Sequence, residues 1–293
     1  MVKMATAECV VCSSDMLGEM PIWSERDQLL YWIDVRAPAL HSYDPSRAKV
    51  HTYELSEVVG SFCERQSGGL MLAMKSGLYF YDTNTENSDL WLNLEPKLPN
   101  NRLNDGKCDR QGRFWVGSMN DGDRLPTGSM FCVEQGGEHR ILFDGITIPN
   151  SLAFSPDGRL MYFTDTPKKM IMVYDFDTDV GIPRNPRIFR DMRDHHGRPD
   201  GSTVDADGCL WNAEVAASRV VRYTPKGEID RIINLPVSVV TSCAFGGPRL
   251  DTLYITTARQ GLTLEQLEKQ PLAGSLFAIN TGAIGVPETL FAG

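Results

Sequence analysis

The chain has 293 residues, 42% hydrophobic and 23% charged, proportions that exclude a disordered tail or a fibre and fit a folded globular protein. Its 38 acidic residues outnumber 29 Lys and Arg, a formal net charge of −9, so the mean surface field repels nucleic acids and anionic bilayers. No run approaches the ~18 apolar residues of a membrane span, and seven scattered cysteines, an odd number, read as reduced thiols of a cytoplasmic protein.

Taken in chain order, the opening MVKMATAECVVCSSDMLGE holds an apolar run that polar and acidic residues break too early for a signal-peptide core. Cys9 and Cys12 form a lone CxxC with no second pair or histidine cluster, so this piece reads as an edge strand and not as a zinc site. From there the apolar segments stay short and rich in aromatic and β-branched residues, as at 29–33, 70–74, 78–81, 161–164, 170–174, 220–223 and 253–256. Gly, Pro, Asn or Asp bound each one, which makes them strands, too numerous for an α/β domain. DRQG at 109–112, SPDG at 155–158 and DADG at 205–208 put Gly where a tight hairpin needs positive φ. The single helical candidate is LTLEQLEKQ at 262–270, with Thr263 as cap and Gln266 completing a capping box.

Stacked by their turns, these segments repeat six times, with second strands beginning near Leu29, Leu70, Phe114, Leu160, Leu210 and Thr252. Steps of 41, 44, 46, 50 and 42 residues between them are a propeller spacing, because a lone four-stranded blade cannot bury both of its faces. The expectation is an all-β, six-bladed β-propeller of four antiparallel strands per blade, forming a single domain over residues 1–293. The last repeat supplies three clear strands. A strand near residues 7–13 is expected to complete the blade built from 241–280 and close the ring, with the C-terminal GVPETLFAG as its rival.

Loops entering the inner strands of a propeller converge at one mouth of the channel. GEMP at 18–21, NRLNDG at 101–106, IPNS at 148–151 and RPDG at 198–201 all fall there. Each alone is ordinary turn chemistry, but their shared position brings Glu19, Asn150 and Asp200 together as two carboxylates and a carboxamide. That set suits a hard or borderline divalent cation. Without a cation, converging carboxylates raise each other's proton affinity. No GxSxG elbow is present, which disfavours covalent serine hydrolysis, and DHHGR around His195 and His196 reads as an exposed loop.

In this combination and order, GEMPIW, NRLNDGKCDRQGRFWVGSM, PNSLAFSPDG, RPDGSTVDADGCLW and the terminal GSLFAI segment, the sequence resembles the gluconolactonase, regucalcin or senescence-marker-protein family of six-bladed propellers over nearly its whole length. The resemblance implies one divalent cation on Glu19, Asn150 and Asp200, with Arg102 and Asn104 contacting substrate and Asp200 as the acid/base residue. It also implies hydrolysis of aldonolactones, with phosphotriester hydrolysis in some members. The residues agree with it: Arg102 and Asn104 point to one side of an extended segment while Leu103 points to the core, and their amide and guanidinium groups can bind lactone oxygens. Asp105 and Gly106 read as the turn feeding the inner strand, with a supporting role for Asp105 behind the site as the alternative. The loop at 119–128 is expected to overhang the channel, offering Asn120 and Asp121, and also Asp123 and Arg124, to substrate.

The expected function is a metal-dependent hydrolase opening a sugar lactone to its acid, in a monomer or small homo-oligomer, with Ca, Zn, Mn, Mg or Fe as cofactor. Two alternatives stay open: an aryl-ester or phosphotriester hydrolase on the same metal, and a non-enzymatic calcium-binding or interaction propeller.

Overall fold

Apolar residues on both faces of a sheet force it to stack on both sides, and the chain solves this by closing a ring. The computed structural model describes residues 2–293 as six sheets whose inner strands neighbour one another all the way round, a six-bladed β-propeller. The inner strands are Gly18–Ser24, Val59–Glu64, Asn101–Cys108, Pro149–Phe154, Arg198–Val204 and Val240–Gly246. The second strands start at Leu29, Leu70, Phe114, Leu160, Leu210 and Thr252, as the repeat predicts. Apolar cores lie between blades: Ile22, Tyr31 and Leu40 of the first pack on Phe62, Leu70 and Leu72 of the second, and Trp115 and Met130 of the third on Leu152, Phe154 and Met161 of the fourth.

The turn motifs have two jobs. Gly112, Gly158 and Gly208 adopt φ of 83°, 73° and 76°, the left-handed conformation that glycine tolerates. In two of the same turns Asp109 and Asp205 are buried and accept the indole N–H of Trp115 (2.9 Å) and Trp211 (2.8 Å), pinning the turn to the core.

Residues Glu8–Val11 pair antiparallel with Leu276–Asn280 and complete the sixth blade, closing the ring as expected. Lys3–Thr6, not anticipated as a strand, adds in parallel to Ile229–Asn234 of the fifth blade, so the N-terminus ties two blades together. The C-terminal segment takes no place in a blade. It passes beneath the propeller, where Ala206 donates to the Ile284 carbonyl (2.8 Å), Phe291 to Glu64 (2.8 Å) and Ala292 to Gly112 (3.0 Å). Phe291 is buried against Trp91, and Lys107 of an inner strand reaches down to Glu288 (2.8 Å). The tail thus covers that end of the channel, and the opposite mouth carries the entering loops. The helix Leu264–Lys269, capped by the Thr263 and Gln266 box, is an excursion from the sixth blade.

All six inner strands break register near their entry, between Glu19 and Ile22, Val59 and Ser61, Leu103 and Gly106, Asn150 and Ala153, Pro199 and Ser202, and Val240 and Ser242. A bulge inserts an unpaired residue and re-aims its neighbours. Six bulges at one level turn the strand entries into a ring of side chains facing the channel. Met20 (φ 51°) and Ser151 (φ 57°), each directly after a candidate ligand, hold the left-handed conformation that this bend requires.

Candidate active site

Glu19, Asp105, Asn150 and Asp200 come from four different blades and meet at the level of the bulges. Glu19 is half-buried on the first inner strand, and its Oε2 accepts the Met20 amide (3.2 Å). Burial first, then repulsion from Asp200 and Asp105, pushes its carboxyl well above the usual range. Asp200 is raised in the same way, by burial and then by Asp105, with only Arg198 and the Gly201 amide favouring its charged form. Its backbone is fixed rather than its carboxylate: the Asp200 carbonyl accepts from the Ser151 hydroxyl (2.6 Å) and the Asn212 amide (3.1 Å). Gly201 allows this seat, since a Cβ there would lie 2.1 Å from the Ser242 Oγ.

Asp105, expected in a turn, sits instead inside the inner strand Asn101–Cys108 at its bulge, buried, with Oδ2 accepting the Leu152 amide (2.9 Å). Burial pushes its carboxyl up to about 6. Gly106 adopts no positive φ; a Cβ on it would press within 2.7 Å of the Ser61 Oγ and 2.8 Å of the Phe114 ring, so the glycine serves close packing between strands and not a turn.

Asn150 is oriented by its surroundings. Its Nδ2 donates to the Thr166 hydroxyl (2.9 Å), which donates on to the Pro199 carbonyl (3.1 Å), so its Oδ1 faces away from Thr166 and accepts from Asn104 Nδ2 (3.2 Å). Asn104 Oδ1 in turn accepts from Arg102 Nη1 (2.7 Å), and Arg102 Nε donates to Asp121 (2.8 Å). Arg102 is 3% exposed, and its Nη2 makes no hydrogen bond among the described residues, leaving that donor for a ligand. Leu103 points away into the core between the second and third blades.

At the rim, Arg36 of the first blade makes a bidentate pair with Asp121 of the third (2.7 Å each) and is steadied by Gln260 of the sixth (3.1 Å). Two guanidinium groups therefore share Asp121 and hold its carboxyl far below the usual range despite its burial. Asp121 thus positions Arg102 and has little capacity left for another donor. Asn120 is buried and accepts the Asp123 amide (2.8 Å), shaping the 121–127 loop. His195 is half-buried and His196 exposed in the loop before Arg198, and neither side chain hydrogen-bonds to this network.

Arg36 and the orienting Thr166 were not expected at the site, and Asp105 only as the alternative to a turn residue. Arg36 had a usable signal: it follows the second strand of its blade, the same repeat position as Asp121. Among the described residues no three His, Cys, Asp or Glu side chains gather into a metal cluster of their own. The donor set fits a divalent cation because the Asn150 carboxamide completes two desolvated carboxylates whose mutual repulsion a cation would offset.

Fold and site together define a β-propeller with a carboxylate and carboxamide floor, a guanidinium wall and one covered end. Residues 17–259 match the model of the SMP-30/Gluconolactonase/LRE-like region, and the chain belongs to this family. It is 37% identical to the 6-deoxy-6-sulfogluconolactonase of Pseudomonas putida over 98% of this chain and 99% of that one. It is 32% identical to regucalcin of Xenopus laevis, with 98% of each covered. The crystal structure of a regucalcin from Agrobacterium tumefaciens, described as a calcium-binding protein, superposes with a TM-score of 0.95 at 30% identity, covering 99% of this chain and 98% of that one. No helix among the described residues is long and apolar enough to cross a membrane.

Proposed function

We propose that the protein is a metal-dependent hydrolase that opens a sugar lactone to its aldonic acid. The observation that carries this reading is the continuous hydrogen-bond chain from Arg102 through Asn104 to Asn150, ending beside the desolvated carboxylates of Glu19 and Asp200. The 37% identity to a 6-deoxy-6-sulfogluconolactonase over essentially both full lengths supports it.

Glu19, Asn150 and Asp200 would hold the cation, which would supply Lewis-acid polarisation of the lactone carbonyl. Asp200, its backbone held by Ser151 and Asn212 at the channel, receives the proton of the attacking water and returns it to the ring oxygen as the acyl C–O bond breaks. The free Nη2 of Arg102 donates to the lactone oxygen on which charge develops. Asn104 holds Arg102 at that angle while also fixing Asn150, so one side chain couples substrate recognition to the ligand set. Asp105 keeps the Leu152 amide satisfied and adds negative potential that favours a bound cation. Calcium is the first cation to test, given the calcium-binding relative.

A panel of sugar lactones, aryl esters and phosphotriesters, assayed with Ca, Zn, Mn, Mg and Fe, tests this directly. Lactone opening with little ester or phosphotriester turnover supports the proposal. Faster phosphotriester or aryl-ester hydrolysis would replace it, and metal binding without any turnover would make the protein a binding propeller.

A further inference from the structure

The rim of the site is charged opposite to the molecule. Across a chain of net charge −9, the mouth gathers Arg36, Arg102 and Arg124 around the single carboxylate of Asp121. Arg36 and Arg102 consume that carboxylate between them. Arg124 is half-buried, feels Asp121 from beyond ion-pair distance, makes no ion pair of its own among the described residues, and has only the Met119 sulfur (3.5 Å) within hydrogen-bonding reach. Met119 is the register partner of Arg102, which places the Arg124 guanidinium on the same wall as the substrate-facing arginine. Its neighbour Asp123 is exposed and engages the loop through its backbone amide. Arg124 also stands at φ 55°, a left-handed conformation uncommon for a long side chain. Burial disfavours its charge, and the attraction of the nearby Asp121, partly offset by repulsion from Arg36, does not make up that loss.

Resting on the lactonase reading above, we propose that the substrate is a lactone bearing an anionic substituent, a sulfonate, phosphate or carboxylate on the end of the sugar remote from the carbonyl, and that Arg124 recognises it beside Arg36. The chemistry follows from the two ends of the site. The floor handles a neutral carbonyl that becomes an oxyanion, and the rim offers one unpaired, planar, multiply donating cation suited to a tetrahedral or planar oxyanion. A neutral sugar would leave that cation partly desolvated and unpaired.

The test compares kcat/KM of the metal-loaded protein on D-glucono-1,5-lactone with the same lactone carrying a sulfonate, a phosphate or a carboxylate at C6, for wild type, Arg124→Gln and Arg124→Lys. Wild type should prefer at least one anionic lactone, and that preference should fall with added salt. Arg124→Gln should cut the anionic-to-neutral ratio by about ten- to hundredfold, the worth of one desolvated charge-assisted contact, with partial recovery in Arg124→Lys. The salt series on wild type reads the same contact without any variant. Equal kcat/KM on neutral and anionic lactones, or a ratio unmoved by Arg124→Gln, overturns the inference and leaves the lactonase reading standing. Failure to open any of these lactones overturns both.

Discussion

Replacing Asp105 by Asn in protein stripped of cations by a chelator tests the electrostatic strain of the channel floor. The Asp105 carboxyl is raised from 3.8 to about 6, chiefly by burial, and at 7% exposure solvent screens it little. At about 1.4 kcal/mol per pH unit, a rise of roughly two units corresponds to an upper limit of about 3 kcal/mol. Because the folded value is the higher one, the wild-type group contributes fully below about pH 4, and that contribution is lost as the pH rises through about 6. Asn keeps the size and an oxygen for the Leu152 amide but carries no charge. Asp105→Asn should therefore gain up to about 3 kcal/mol over wild type near pH 7.5 and almost nothing near pH 4. At about 2 °C per kcal/mol for a chain of this length, Tm near pH 7.5 rises by roughly 6 °C. Calorimetric melts of both proteins at the two pH values measure this. A variant that melts no higher than wild type near pH 7.5, or a difference that is the same at both pH values, would mean that the Asp105 charge does not destabilise the metal-free fold.

Glu19→Gln should weaken cation binding and turnover together, by about tenfold or more, since it removes ligand charge with little change in shape; equal affinities in titration calorimetry would remove Glu19 from the ligand set. Arg102→Lys should lower both kcat and kcat/KM by about ten- to hundredfold with metal content unchanged, whereas a raised KM at constant kcat would move Arg102 to the remote sugar hydroxyls. Deleting residues 1–13 removes the strand that closes the sixth blade and the one added to the fifth. The loss should be on the order of 5 kcal/mol in denaturant unfolding, and an unchanged midpoint would mean that the ring does not depend on this closure.

The propeller was legible because its signal is repeated: six short apolar strands each begin a second position in the blade at the residue where the structure starts them, from Leu29 to Thr252. Lys3–Thr6 was missed because a wholly exposed strand has no alternation to read. Asp105 was misread because Asp-Gly is the strongest local turn signal, and here Gly106 is required instead by the closeness of Ser61 and Phe114. Glu19, Asn150 and Asp200 could be singled out by their matched places in separate blades. Arg36 and Asp121 share a repeat position that could have marked both but not shown that they pair with each other, since the pair joins groups 85 residues apart on loops whose direction the local sequence does not encode. That pair changes the meaning of Asp121, from a group available to substrate to one that holds Arg102 in place.

Metal dependence is tested most directly by metal analysis of protein purified without added cations, followed by chelation, reconstitution with single divalent cations and assay of sugar-lactone opening. Lactone opening should be lost with the cation, return on reconstitution, and stay absent in Glu19→Gln; undiminished lactone opening by metal-free protein would rule out a metal-dependent reaction.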